Sequence, residues 1–109
     1  MDRLFVYGSL APGRPNYHVL EDVPGHWEPA TLKGILHEEG WGAELGYPGI
    51  TPDENGEDVN GFVLESDQLD DVWPRLDEFE GDGYERQEVT VTVREIDQVS
   101  AYVYALRRE

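Results

Sequence analysis

Two alternating runs near the C-terminal end constrain the fold more than any other part of this chain. In Glu88 to Ile96, Val89, Val91 and Val93 point one way while Thr90 and Thr92 point the other. That two-residue period marks a strand with one buried face. In Val99 to Leu106, Ala101, Val103 and Ala105 share one face and Tyr102, Tyr104 and Leu106 the other. The connection around Asp97 and Gln98 is short enough for a hairpin.

The segments before this hairpin are also mostly strand-like. Arg3 to Tyr7 reads as a strand, and Asn16 to Leu20 as a single helical turn after Pro15. His26 to Glu38 alternates loosely through Trp27, Ala30, Leu32 and Ile35, with Gly34 marking a bulge or a close backbone approach. Gly40 to Gly56 is rich in Gly and Pro and reads as loop, with a short extended piece at Tyr47-Pro48. Val59 to Glu65 is a strand with Phe62 and Leu64 on one face and Val63 on the other.

Asp67 to Phe79 is the helix. Ser66 or Asp67 can cap it, and Leu69, Val72, Leu76 and Phe79 recur at helical spacing. Pro74 removes one helical hydrogen bond, so the helix kinks there or a second helix starts with Pro74 at its first position. Gly81 and Gly83 end the segment. One helix inserted before a final hairpin, in a chain otherwise of strands, predicts an α+β domain with an antiparallel sheet or small barrel.

Composition narrows the function. A length of 109 residues fits one domain, 1–109, with one modest core. With no cysteine, disulfides, thiolate catalysis and Cys-ligated metals are excluded. No apolar stretch is long enough to cross a membrane and the N-terminus does not read as a signal peptide, so a soluble cytoplasmic protein is expected. Eight Lys plus Arg against 24 Asp plus Glu give a net charge of −16, and Lys33 is the only lysine. That field repels nucleic acid phosphates and anionic membranes and argues against both as partners. It suits a solvated surface that keeps a small protein soluble, or adaptation to high intracellular salt, where carboxylate repulsion is screened. Disorder does not fit three Trp, six Tyr and three Phe placed within patterned segments. His18, His26 and His37 lack i,i+4 spacing and sit on different elements, so no metal site is expected. Trp27, Trp41 and Trp73 read as core or pocket wall.

Chemistry enters at Val6-Tyr7-Gly8-Ser9-Leu10. A strand running straight into a Gly-Ser turn presents backbone N–H groups that can hold a carboxylate or a developing oxyanion; an ordinary turn at an edge strand has the same sequence. The partner is Leu76-Asp77-Glu78-Phe79-Glu80-Gly81, followed by Tyr84-Glu85-Arg86. Crowded carboxylates raise one another's pKa, and a carboxylate tuned upward is a general base near neutral pH. Glu80 sits at the helix-to-strand turn, where a side chain can be aimed into a cavity, while Asp77, Glu78 and Glu85 read as a solvated acidic helix end. Arg86 reads as a surface ion pair with Glu88 or Glu85, or as one of few cations able to hold an anionic substrate.

Together these halves resemble the gamma-glutamylcyclotransferase-like superfamily, which includes the gamma-glutamylamine cyclotransferases and the AIG2-like proteins. Tyr7-Gly8-Ser9-Leu10 is similar to the family's substrate-binding loop, and Gly13 and Asn16 continue in its manner. Tyr47-Pro48-Gly49 resembles its mid-chain Pro-Gly element, Gly61 opens its Gly-x-x-(Tyr/Phe/Leu) strand, and Leu76 to Gly81 with Tyr84 and Arg86 resembles its acidic signature. Tyr104 falls where the family places a tyrosine in the last strand. The resemblance implies a small barrel of mixed strands flanked by helices, with a cavity at one end. It implies Glu80 as general acid/base, substrate held by Gly8, Ser9 and Leu10, and Tyr7 and Tyr104 lining the pocket. The implied reaction closes a small γ-glutamyl compound to 5-oxoproline and releases an amine, without metal or cofactor. The alternative is a binding module that keeps the pocket and turns nothing over. A salt-adapted structural domain accounts for the surface but not for the Gly-Ser loop together with Glu80. Nothing in the sequence assigns an oligomeric state.

Overall fold

The computed structural model describes residues 2–7, 20, 22–37, 49–80 and 84–106, apart from the side chains of Phe79, Glu80 and Leu106. Their elements follow in the order β1 (Asp2–Val6), β2 (His26–His37), β3 (Gly49–Pro52), β4 (Glu57–Ser66), α1 (Leu69–Glu80), β5 (Tyr84–Val93) and β6 (Asp97–Leu106). The final hairpin pairs along its whole length, from Tyr84↔Leu106 to Val93↔Asp97. β6 then lies parallel to β1, β1 antiparallel to β4, and β4 antiparallel to β2. β2 returns to β5 through Ala30↔Val93 and Thr31↔Thr92, which closes β2-β4-β1-β6-β5 into a five-stranded barrel. The sixth strand, β3, pairs with the far end of β2.

Period-two alternation sorts the side chains into two cores. Inward positions Phe5, Ala30, Leu32, Val63, Val91, Val93, Ala101, Val103 and Ala105 fill the barrel. The opposite faces of β1, β4 and β6 present Leu4, Val6, Leu64 and Tyr104 to α1, which covers them with Leu69, Trp73 and Leu76. These three recur at helical spacing and bury one stripe of α1. Fully burying a side chain of this size stabilises the fold by about 1.5–3 kcal/mol. Val89, Val91 and Val93 on one side, and Tyr102 with Tyr104 on the other, therefore sit as their alternation predicts.

Several boundaries differ from the sequence reading. The strand expected at Glu88 begins at Tyr84 and ends at Val93, and Ile96, expected inside it, is exposed at the hairpin tip. The turn lies at Arg94 to Ile96 rather than at Asp97-Gln98, closed by the Ile96 N–H donating to the Val93 carbonyl at 3.3 Å. Arg94 and Glu95 adopt φ of 52° and 69°, a left-handed conformation that usually selects Gly or Asn, so the sequence carries no turn signal there. Arg94 is held by Glu28 at 2.6 Å and Asp97 at 3.0 Å.

β3 was expected as loop, with its extended piece at Tyr47-Pro48; those two residues lie outside the described set, and the strand is Gly49–Pro52. A four-residue strand bounded by Gly and Pro has no alternation to read. Pro74 lies within one continuous helix, α1, rather than starting a second. Ser66 is buried, and its Oγ accepts the Gln68 N–H at 3.1 Å at the approach to that helix. The helical turn expected at Asn16 to Leu20 lies outside the described residues apart from Leu20, as does Trp41. Gly34 is a close approach as predicted: a Cβ there would stand 2.7 Å from the Thr51 carbonyl oxygen. Gly61 is another, since its Cβ would stand 2.7 Å from Cζ of Phe5.

Candidate active site

Parallel pairing brings the C-terminal ends of β1 and β6 to the same end of the barrel. β5 starts there, because it is antiparallel to β6. α1 runs into β5 with only residues 81–83 between, so its last turn also arrives at this end.

Tyr7, the residue after β1, lies at this end. Its ring packs against the barrel core and stacks on Phe5 at 6.2 Å between centroids. Its hydroxyl donates to the Tyr104 carbonyl at 2.7 Å and accepts the Ile50 N–H at 3.2 Å. One phenol thus ties β1 to β6 and β3.

Tyr104 points the other way from its backbone contact. Its side chain is buried in the core beneath α1, and its hydroxyl donates to Oδ1 of Asp77 at 2.6 Å. Burial, reinforced by the Asp77 carboxylate, pushes the phenol well above its ordinary pKa, so it remains a donor. Arg86 reaches the same Asp77 oxygen at 3.4 Å, and its guanidinium lies 4.6 Å from the Trp73 ring centroid and 5.9 Å from that of Tyr102. The expected pairing of Arg86 with Glu85 or Glu88 is replaced by this one, because Arg86 and Tyr104 are direct cross-strand neighbours opposite α1. Asp77, expected as a solvated carboxylate, keeps an exposed surface but is engaged by two donors.

Gly8, Ser9 and Leu10 lie outside the described residues, as does the side chain of Glu80. The backbone of Glu80 closes α1, three residues after Asp77. Tyr7, Tyr104 and Arg86 are brought together through Tyr104: its carbonyl holds the residue before Gly8, and its hydroxyl holds the residue one helical turn before Glu80.

Glu85, expected as part of a solvated acidic helix end, is instead partly covered, next to Gln87, which the sequence reading did not single out. Both are half-buried on the side of β5 that Val89, Val91 and Val93 turn into the barrel, and the Gln87 amide donates to Glu85 Oε1 at 2.7 Å. Extending the valine alternation two steps back would have placed them there. On the other side of Tyr7, an open groove of about 830 Å³ runs between β2, β4 and the hairpin turn. Lys33 and Arg94 line it and are paired with Asp58 at 3.0 Å and Glu28 at 2.6 Å.

Residues 4–109 match the family described as gamma-glutamyl cyclotransferase, AIG2-like. The chain belongs to this family. It is 40% identical over 104 residues to AIG2-like protein C of Arabidopsis thaliana, covering 93% of this chain and 58% of that protein. The chain therefore spans under two thirds of that relative's length. Among solved structures it is similar to YkqA from Bacillus subtilis, with 30% identity and a TM-score of 0.73 over 96% of this chain and 35% of the other. An AIG2-like protein of Mus musculus gives 25% identity and a TM-score of 0.71 over 96% of this chain and 76% of the other. A structure described as gamma-glutamyl cyclotransferase, at 22% identity and a TM-score of 0.71, covers 98% of this chain and 67% of its own and shows the shared fold. The small barrel expected from the resemblance is the family's fold. No helix among the described residues is long and apolar enough to cross a membrane.

Proposed function

We propose that the chain is a gamma-glutamyl cyclotransferase-type enzyme that closes a small γ-glutamyl amine or amide to 5-oxoproline and releases the amine. The observation that carries this reading is the double attachment at Tyr104, which ties the exits of β1 and α1 to one residue. In this reading the amides of Gly8, Ser9 and Leu10 and the carboxyl of Glu80 serve one reaction space, with Tyr7 as part of its wall.

The chemistry needs little more than folding the substrate onto itself. Its α-amine attacks its own γ-carbonyl carbon and closes a five-membered ring, so both reactants belong to one molecule and orientation supplies much of the acceleration. Glu80 takes the proton from the attacking amine as the new C–N bond forms. Loop N–H groups stabilise the tetrahedral oxyanion or grip the α-carboxylate. The bond to the departing nitrogen then breaks, and Glu80 returns the proton to it. The net charge of −16 favours substrates whose leaving group is a neutral or cationic amine over those that release a further carboxylate.

Incubation with a panel of γ-glutamyl amines and γ-glutamyl amino acids, followed by 5-oxoproline analysis, tests the reading. Turnover by the wild type that is lost in Glu80→Gln is the expected result. Equal ligand binding by both proteins without product would replace the enzyme by a binding module on the same fold.

A further inference from the structure

We infer that Tyr104 and Asp77 form a strut that sets the spacing between the two halves of the proposed site, and that they are positioning residues rather than substrate ligands. This rests on the cyclotransferase reading, and it changes the pocket-lining role that the resemblance gives Tyr104.

The contacts that join β1 to α1 differ in what they fix. β1 and α1 meet across a packed apolar layer of Leu4, Val6, Leu69, Trp73 and Leu76, and Asp2 is hydrogen-bonded to Asp70 and Trp73 in the first half of the helix. The apolar layer sets the separation without a directional preference, and the Asp2 contacts lie in the first half of the helix, away from its last turn. A short charge-assisted hydrogen bond is directional. The Tyr104–Asp77 bond, at 2.6 Å, is one, and it lies one turn before the end of α1. Asp77 lies three positions before Glu80, about one helical turn. Fixing the carboxylate of Asp77 therefore fixes both the rotation and the advance of the turn that carries Glu80.

The other end of the strut is the Tyr104 backbone. Its carbonyl accepts the Tyr7 hydroxyl at 2.7 Å, immediately before Gly8. The rigid path Tyr7–Tyr104–Asp77 thus runs from the proposed oxyanion loop to the proposed acid/base through two hydrogen bonds and one strand residue. Arg86 completes it from the solvent side. Stacked over Trp73 and bonded to Asp77, it offsets the charge of that carboxylate. Both groups are engaged within the strut. The Tyr104 hydroxyl is spent on Asp77, and the Arg86 guanidinium lies on the helix-facing side of β5, opposite the inward side that carries Val89 and Val91.

The test uses Tyr104→Phe, Asp77→Asn and the double variant, with Val91→Ala in the barrel core as a matched loss of stability. Tyr104→Phe keeps the ring and the carbonyl that holds Tyr7 and removes only the hydroxyl. On the best substrate of the γ-glutamyl panel, kcat is expected to fall about 10–100-fold in each single variant with KM within twofold, as a misplaced catalytic group requires. The double variant is expected to lose no more than the worse single one, because one bond is being removed twice. Val91→Ala lowers the melting temperature and keeps kcat. Amide hydrogen exchange at residues 78–80 is expected to rise at least tenfold in both strut variants and not in Val91→Ala. An unchanged kcat, or a rise in KM alone, would overturn the strut and return Tyr104 to the substrate wall. Should the wild type make no 5-oxoproline at all, the cyclotransferase reading fails, and the exchange data alone decide the strut. Unaltered exchange at residues 78–80 then removes it.

Discussion

Replacing Tyr7 by Phe removes one oxygen atom and is expected to cost the fold about as much as deleting a core side chain. The reason lies in strand β3. Pro52 has no N–H and stands opposite Gly34, so that pair is a non-hydrogen-bonded one. Alternation makes Thr51–Ile35 a bonded pair and Ile50–Leu36 a non-bonded pair. The Ile50 N–H therefore points away from β2, and Ile50 is fully buried. Its partner is the Tyr7 hydroxyl at 3.2 Å, which itself donates to the Tyr104 carbonyl at 2.7 Å, just past the end of the β1–β6 pairing. Phe fills the same space and leaves both backbone groups without that oxygen. An unsatisfied buried donor costs about 1–3 kcal/mol, and the carbonyl adds to it, so a loss of about 2–3 kcal/mol is expected. At about 1.5 kcal/mol per molar of urea, the unfolding midpoint drops by about 1–2 M. Urea unfolding followed by tryptophan fluorescence reads this directly. A midpoint that moves by less than about 0.3 M would mean that water replaces the phenol and that β3 is not held through Tyr7.

Three further outcomes follow from other parts of the molecule. Glu95 sits at φ 69°, where a side chain costs about 1–2 kcal/mol, so Glu95→Gly is expected to raise the urea midpoint by about 0.5 M once the extra freedom of glycine in the unfolded chain is subtracted. Asp2 has its pKa raised, first by its hydrogen bond to Asp70, then by partial burial and the Asp70 charge. A raised folded pKa gives stability that is complete below the unfolded value of 3.8 and is lost as pH rises through the folded one. Asp70→Asn should therefore raise the melting temperature at pH 7 and leave it unchanged at pH 3, as calorimetry at the two values will read. Finally, with 24 acidic against eight basic side chains, the melting temperature is expected to rise between low and molar KCl, and a flat or falling profile would exclude screening of self-repulsion as a source of stability.

The parts of the fold that were legible are those where one residue's neighbours in sequence are also its neighbours in the pattern. The alternation of Val89, Val91 and Val93 and that of Ala101, Val103 and Ala105 told which side enters the barrel. The spacing of Leu69, Val72 and Leu76 told which stripe of α1 is buried. The hairpin turn was displaced because Arg94 and Glu95 adopt a conformation their side chains disfavour, held there by Glu28 from a distant strand. At the candidate site, Glu80 and the Tyr-Gly-Ser-Leu run stood out because their residue types announce chemistry. Asp77 did not, since its partner Tyr104 lies 27 positions away, and a carboxylate in an acidic run looks solvated.

Local periodicity and residue type, which act over a few positions, were enough for five of the six strands, the helix, the net negative charge and the family. Closure of the barrel through Ala30 and Val93, the seat of β3 on Tyr7, and the bond from Tyr104 to Asp77 belong to the tertiary structure alone. Each joins residues far apart in the chain by a directional contact. Such contacts are selected only when the packed layers have brought their elements within bonding distance, and no short window of sequence contains both partners.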